Sequence, residues 1–361
     1  MKSTTITTMA MTTNMKIMTT TEPNAASPAL ARHGTPDWTW QQHAFRAMNT
    51  GIAVAVYARQ AGHGEAVETL FRRNEQCMSR FLPDSDLALL NREPAGSTCV
   101  SAGLFDALEV ALWAASISGG LYDPTILGDL EAAGYDRSFE YVARRAGYQW
   151  PVAAELAGTP HVTRRRTADY TAVSLERATR QVSRPAGVRL DLGGMGKGWT
   201  VDRAAELLSG EGPFLVNAGG DLYAHGQPGE RRGWEVLLEH PLAAGRWMAR
   251  LYLDHAGLAT STVMKRRWSH NGRAAHHLID PRTGEPADTD ALSVTVVAQR
   301  TVLAEIFAKV ALILGVTAGL AWLAETDGIE GLIYTADGRI VTTPGLAPML
   351  DAVEPAGVRM A

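Results

Sequence analysis

Cysteine is scarce in this chain of 361 residues, which has only Cys77 and Cys99. Their spacing excludes a CxxC redox pair and a cysteine-rich metal site, and it favours isolated thiols over a structural disulfide. An excess of one charge is also lacking, because 34 Lys and Arg face 38 Asp and Glu, a formal net charge of -4. That balance gives no sign of nucleic-acid binding, so we interpret the basic runs at residues 164–166 and 265–267 as solvated surface.

Long apolar runs are missing as well. No stretch reaches the roughly 18 apolar residues that a membrane-spanning helix needs. Residues 1–36 are rich in Thr, Met, Ser and Ala, and no cysteine follows them that could carry a lipid anchor. They also lack the apolar segment of about 7–15 residues found in a signal peptide. We therefore predict a disordered leader over residues 1–36 and a cytoplasmic protein, with export through an unusual signal as the alternative.

Residues 37–356 are predicted to form a single domain, because neither an internal repeat nor a long flexible linker divides them. Residues 45–58 are rich in small and β-branched residues and predict a strand or hairpin arm. Residues 246–261 alternate and predict one strand, whereas residues 301–316 predict a strongly apolar helix. Strands and helices mix without a regular βαβ alternation. We therefore expect an α+β fold with mixed, largely antiparallel sheets and flanking helices.

A glycine-rich segment, RLDLGGMGKGWTVDRAA, occupies residues 189–205. It is not a Walker A loop, because Asp191 stands where the first glycine belongs and Gly198 where Ser or Thr belongs. It is not a dinucleotide fingerprint either, because Trp199 replaces the third glycine. Two interpretations stay open: a strand-to-helix turn that needs positive φ, or an anion site built from backbone amides and Lys197. A serine hydrolase is not favoured, because the chain offers no G-x-S-x-G motif in support.

Several motifs in one order carry a specific resemblance. The glycine segment is followed by FLVNAGGDLYAHG, and the chain also contains MSRFLPDSDLALLNR, ISGGLYDPT and HHLIDPRTGEP. Together, over residues 48–315, they resemble the ApbE family, the FAD:protein FMN transferases. The resemblance implies an ApbE-like, T-fold-related α+β domain with a central FAD cleft. It also implies cleavage of FAD, release of AMP, and attachment of FMN through a phosphoester to a Thr or Ser of a target flavoprotein, with magnesium.

The same resemblance implies roles for individual residues. It implies a magnesium-binding carbonyl at Gly194 and a proton carrier beside the reacting phosphate at His277, whereas Asp280 is interpreted as a turn residue. The chain itself lacks the family's acceptor pattern, D-G-x-[ST]-G-[AS]-T. The residues expected to bind FAD are Met48, Phe81, Leu121, Tyr122, Asp123, Asp191, Lys197 and Ile279.

The chain departs from the family pattern at a late helix. The family has A-D-x-x-A-T there, with an Asp and a Thr that bind magnesium, and this chain has Glu305 and Lys309 at those positions. Glu305 is one candidate magnesium ligand. Alternatively, Glu305 and Lys309 form an i,i+4 ion pair, and the Lys309 ammonium acts as a fixed catalytic cation in place of the metal. The functional alternative is a non-catalytic FAD-binding protein, or an FAD pyrophosphatase, that has lost magnesium-dependent transfer.

Overall fold

A computed structural model describes residues 38–145, 169–230, 232–270 and 273–353. The predicted leader and the basic run at 164–166 lie outside these ranges. Within them, no helix combines the length and the apolar character needed to cross a membrane. The cytoplasmic location stays a prediction.

The described residues form strands and helices without a repeating unit. The strands are β1 (Thr39–Ala47), β2 (Thr50–Ala58), β3 (Gly96–Cys99), β4 (Ser174–Glu176), β5 (Gln181–Arg184), β6 (Phe214–Ala218), β7 (Asp221–His225), β8 (Trp234–Glu239), β9 (Trp247–Leu253), β10 (Ala256–Thr262), β11 (Arg267–His270), β12 (Arg273–His276), β13 (Ile279–Asp280), β14 (Glu285–Pro286), β15 (Ala291–Ala298), β16 (Ile329–Thr335), β17 (Ile340–Thr342) and β18 (Leu350–Val353). The helices are α1 (His63–Met78), α2 (Asp86–Arg92), α3 (Ala102–Ile117), α4 (Leu127–Ala132), α5 (Phe139–Arg145), α6 (Gly196–Leu207), α7 (Thr301–Leu314) and α8 (Val316–Ala324).

An eight-stranded sheet organises the fold in the order β1-β2-β6-β7-β10-β15-β16-β17. Each neighbouring pair in it is antiparallel. Four smaller antiparallel sheets flank it: β18-β9-β8, β3-β5-β4, β11-β12 and β13-β14. The prediction of an α+β fold with largely antiparallel sheets is confirmed.

The first hairpin shows how local sequence sets the start of this sheet. Strands β1 and β2 pair throughout and are joined by Met48 and Asn49, both of which have positive φ. Two residues with positive φ match the twist of an antiparallel hairpin. The amide of Met48 donates to Glu75 Oε1 at 2.8 Å, which ties the turn to the end of α1.

The prediction of one strand over residues 246–261 is wrong. The chain forms β9 and β10 there, and they belong to different sheets. The break falls at Asp254 and His255, and His255 takes a φ of 52°. That left-handed conformation turns the chain from one sheet to another, and an alternating hydrophobic pattern does not reveal it.

Helix α7 lies between two hydrophobic cores. One face, with Phe307 and Ala308, packs into the core of the main sheet, where β15 is buried at all eight positions. The other face, with Val302 and Ile306, packs against α3 and the segment that leads into α6. The stripe between these faces therefore points at the start of α6, and this stripe carries the polar residues of the helix.

Candidate active site

One large cavity collects residues from separate parts of the chain. Its volume is about 420 Å³, within the range of small-molecule sites. Its walls come from the β1–β2 turn, the end of α1, the start of α6, α7, and the loops before α4 and α6 and after β12. Predicted residues on those walls are Met48, Phe81, Leu121, Tyr122, Asp123, Asp191, Gly194, Lys197, His277, Ile279 and Lys309. Glu305 lies behind the wall, and its exposed fraction is 2%.

Hydrogen bonds fix the backbone of the glycine segment just before α6 begins. Asn91 pairs with both backbone groups of Leu190, because its Nδ2 donates to the carbonyl at 2.8 Å and its Oδ1 accepts from the amide at 2.8 Å. The Asp191 amide donates to the Pro124 carbonyl at 2.8 Å. Side-chain and backbone hydrogen bonds thus replace a strand ladder and present the glycines to the cavity.

The glycines of this segment allow its backbone to approach neighbouring groups closely. Gly193, Gly194 and Gly198 all lack positive φ, so the interpretation as a turn that needs positive φ is wrong. A Cβ on Gly194 would lie 3.1 Å from Tyr122 Cε2 and 3.3 Å from Lys309 Cε. A side chain at this position would crowd the Tyr122 ring and the Lys309 side chain, so glycine favours the close approach of the backbone to these groups.

Gly198 brings α6 against the first turn of α7. A Cβ there would lie 2.8 Å from the Thr301 oxygen and from Val302 Cα. Across the same junction, Asp202 of α6 accepts hydrogen bonds from the Thr301 and Val302 amides at 2.7 and 3.0 Å. The Asp202 side chain therefore caps the start of α7 and fixes the rotation of α7 relative to the glycine segment.

We expect Gly198→Ala to lower the free energy of unfolding by about 1–3 kcal/mol, because the methyl group would meet backbone atoms that have no room to move. Urea denaturation measures this. Gly103→Ala is the matched control, since a Cβ there would meet only Cys77 Sγ at 3.5 Å in an early helical turn. Equal stability of the two variants would contradict the close approach of α6 and α7.

Four charged side chains form a compact cluster at this junction. The Lys197 ammonium bonds to Asp221 and, at 2.7 Å, to Glu305 Oε1. The Gly198 amide donates to Glu305 Oε2 at 2.8 Å, and Lys309 Nζ lies 3.5 Å from Glu305 Oε1. Two cations and two anions balance one another in a buried setting, as buried charges require.

The cluster shifts the pKa values of its members. Burial opposes the ionisation of Glu305, but the Lys197 and Lys309 ammonium groups outweigh it and lower the pKa of Glu305 to about 2. Burial also disfavours the charged form of Lys197, yet the Asp221 and Glu305 carboxylates raise the pKa of Lys197. For Lys309, burial prevails over Glu305 and lowers the pKa. An anionic ligand would raise the pKa of Lys309 again.

This arrangement does not fit magnesium. Magnesium takes oxygen ligands in near-octahedral geometry. Both oxygens of Glu305 already accept hydrogen bonds from N–H groups, and two of the donors are the ammonium groups of Lys197 and Lys309. The Lys309 side chain lies between Gly194 and Glu305, the two predicted ligands. Across the described parts of the chain, no cluster of three or more His, Cys, Asp or Glu could hold a metal ion.

His277 is the neutral base candidate of the cavity. Its Nδ1 is buried and has no hydrogen-bond partner in the described parts of the protein. Burial, followed by the charge of Arg266, holds its pKa well below the usual value. The adjacent His276 differs, because its Nε2 lies 3.1 Å from the Ala287 oxygen and its Nδ1 accepts from the Leu278 amide. Of these two adjacent histidines, His277 lines the cavity and His276 does not.

An arginine that contacts two aromatic rings also lines the cavity. Arg80 Nε pairs with Asp191 Oδ2 at 2.7 Å, and both side chains are nearly buried. The guanidinium lies 4.2 Å from the centre of the Phe81 ring and 4.7 Å from that of Tyr135. Asp191 and Phe81, both predicted to contact FAD, are thus held in place by a residue that sequence reasoning missed.

Comparison with known proteins identifies the family of this chain. A model of the ApbE family matches residues 48–333. The FAD:protein FMN transferase of Treponema pallidum is 31% identical over 304 residues, which cover 78% of this chain and 79% of that protein. This chain belongs to the ApbE family. A crystal structure of the ApbE protein of Thermotoga maritima covers 87% of this family member at 23% identity, with a TM-score of 0.74, and all of that chain is matched.

A second crystal structure agrees with the fold. The apo flavinyl transferase ApbE of Pseudomonas stutzeri has a TM-score of 0.71 at 22% identity, over 87% of this ApbE member and 98% of that chain. At such identities the structural likeness establishes the fold alone. The predicted family and ApbE-like fold are confirmed, whereas the individual site roles stay predictions.

Sequence reasoning missed four residues that build the site: Arg80, Asp202, Asp221 and Arg266. Asp202 and Asp221 stand within quoted motifs, GKGWTVDRAA and NAGGDLYAHG, but the partner of Asp202 is Thr301, 99 residues along the chain, and Asp221 meets Lys197 of another element. A signal existed only for Arg80, which directly precedes the predicted Phe81. Pairings over about a hundred residues are decided by tertiary structure.

Proposed function

We propose that this ApbE family member transfers FMN from FAD to a Thr or Ser of a target flavoprotein. The single observation that carries the proposal is the cavity, where separate stretches place the expected FAD residues around His277 and Lys309. Relatives that match most of the chain are named for this activity. The non-catalytic alternative is not favoured, because the candidate base and the fixed cation both face the cavity.

The reaction uses few protein groups. The acceptor hydroxyl oxygen attacks the phosphorus that bears the riboflavin oxygen, and the bond from that phosphorus to the bridging oxygen breaks. His277 takes the hydroxyl proton, and AMP leaves with the bridging oxygen. A neutral imidazole suits this role, and the low pKa of His277 keeps it neutral.

Lys309 supplies positive charge at the place where negative charge develops on the phosphates during the reaction. Glu305 holds Lys309 in place and is itself held by Lys197, so the ammonium needs little reorganisation during the reaction. Phosphoryl transfer depends largely on such positioning and charge stabilisation. In this proposal the Glu305–Lys309 pair takes the place of the magnesium centre expected from the family, and FAD is bound mainly by the predicted contacts along the cavity.

The decisive experiment combines purified protein, FAD, and a soluble acceptor domain that carries the D-G-x-[ST]-G-[AS]-T pattern. We expect AMP release and flavin fluorescence on the denatured acceptor, with EDTA as well as with added magnesium. An acceptor with its Thr replaced by Ala is the matched control and should stay unlabelled.

A double variant tests the exchange of metal for lysine. Glu305→Asp with Lys309→Thr restores the family pattern, so we expect its transfer rate to rise when magnesium is added. Failure of the unaltered protein to release AMP under every condition, with FAD still bound, would favour the non-catalytic alternative. A protein whose transfer stops in EDTA would contradict the role of Lys309 in place of a metal.

A further inference from the structure

The three side chains of the basic run at residues 265–267 point to different surroundings. Lys265 Nζ pairs with Glu239 Oε2 at 2.9 Å, away from the large cavity. Arg267 is buried and directs Nη1 toward Met264 Sδ at 3.7 Å. Arg266 alone lines the large cavity. The interpretation of the whole run as solvated surface is therefore wrong for the buried Arg267 and for Arg266 on the cavity wall.

Backbone strain accompanies the position of Arg266. Its φ is 50°, in the left-handed region. For a residue with a long side chain this conformation costs about 1–2 kcal/mol. Such strain persists where surrounding structure imposes it, and it is concentrated at functional sites. Here it turns one side chain of the run into the cavity while its two neighbours point elsewhere.

The charge balance of the cavity leaves Arg266 without a counter-ion. The other basic residues on its walls each have a carboxylate: Arg80 has Asp191, and Lys197 and Lys309 share Glu305. Arg266 has neither an ion pair nor a hydrogen bond within the ranges that the structure describes. It is close enough to His277 for its charge to act on that ring. A cation in a cavity without a protein partner indicates an anionic ligand.

We propose that Arg266 binds the diphosphate of FAD beside His277, an assignment that rests on the proposed function. The guanidinium presents a planar fork of N–H donors that matches phosphate oxygens. The phosphates are the anionic groups of FAD. Arg266 would therefore hold the diphosphate next to the residue that receives the proton, and spread positive charge over the departing AMP.

Binding measurements with ligands that differ in phosphate content test this assignment. We expect Arg266→Gln to weaken FAD binding by about 10- to 100-fold, as loss of a charged hydrogen bond implies. Riboflavin, which has the same ring system and no phosphate, should bind both proteins equally. Inorganic pyrophosphate should compete with FAD in the unaltered protein and far less in the variant. Arg266→Lys keeps the charge without the fork and should be intermediate.

Lys265→Gln is the matched control, because it removes one positive charge from the adjacent residue outside the cavity. We expect its FAD affinity to be unchanged. Retained riboflavin binding shows that Arg266→Gln is folded. Equal weakening of FAD and riboflavin, or no weakening of either, would overturn the assignment. If the unaltered protein binds FAD and transfers FMN while Arg266→Gln binds FAD normally, the proposed function stands and only the role of Arg266 fails.

Discussion

His277→Asn should lower kcat for FMN transfer by about 100- to 10,000-fold, the range typical for loss of a general base, while FAD still binds. The hydroxyl of the acceptor must lose a proton as it attacks phosphorus. His277 lies on the cavity wall, and its Nδ1 has no hydrogen-bond partner within the described ranges. Initial rates of AMP release and equilibrium binding of FAD measure the two quantities separately.

The pH profile gives this prediction a second readout. His277 must be neutral to accept a proton, and its pKa lies well below the ordinary 6.5. We therefore expect kcat/KM to fall only as the pH drops below the usual histidine range. Bound FAD adds negative charge and raises this pKa, so the acid limb of kcat should lie at higher pH than that of kcat/KM.

His276→Gln is the control for His277→Asn. His276 is buried and bonded to the backbone, so we expect its loss to lower the melting temperature and to reduce kcat far less. Equal loss of kcat in both variants would indicate that the loop as a whole, and not the ring of His277, is required.

Replacement of Glu305 by glutamine should lower the free energy of unfolding by about 3–5 kcal/mol, the range for breaking one partner out of a buried ion pair. Glu305 is 2% exposed. Its carboxylate forms ion pairs with Lys197 and Lys309 and accepts a hydrogen bond from the Gly198 amide. Its loss would leave two ammonium groups with Asp221 as the one remaining carboxylate of the cluster. Urea denaturation measures the change.

A second substitution separates charge imbalance from lost packing. Glu305→Gln with Lys309→Met removes one charge of each sign and leaves the Lys197–Asp221 pair balanced. We expect the double variant to be more stable than Glu305→Gln alone, and with Lys309→Met alone as the fourth member of the cycle the three variants give the coupling energy between the two sites. If Glu305→Gln is as stable as the unaltered protein, the buried cluster does not hold α6 and α7 together.

Much of the architecture could be predicted from local sequence. Ser85 and Ser101 are helix caps in the structure, and each accepts from the amide three residues on. The long apolar helix forms as α7 over Thr301–Leu314. Short-range features of this kind depend on periodicity and capping, which act within a few residues. The break between β9 and β10 escaped prediction because one left-handed residue decided it.

The sequence by itself determined the family and the α+β class, and eleven of the residues it singled out lie on the cavity wall, because motifs of that length preserve both local conformation and chemical type. The i,i+4 spacing on one helix already predicted the Glu305–Lys309 pair, whereas tertiary structure decided that Lys197 and Asp221 join it. Asp221, Lys197, Glu305 and Lys309 come from three elements, and burial in a low-dielectric junction forces them to neutralise one another. It also decided which arginine of one basic run faces the cavity, since that depends on a backbone turn and on neighbours remote in sequence.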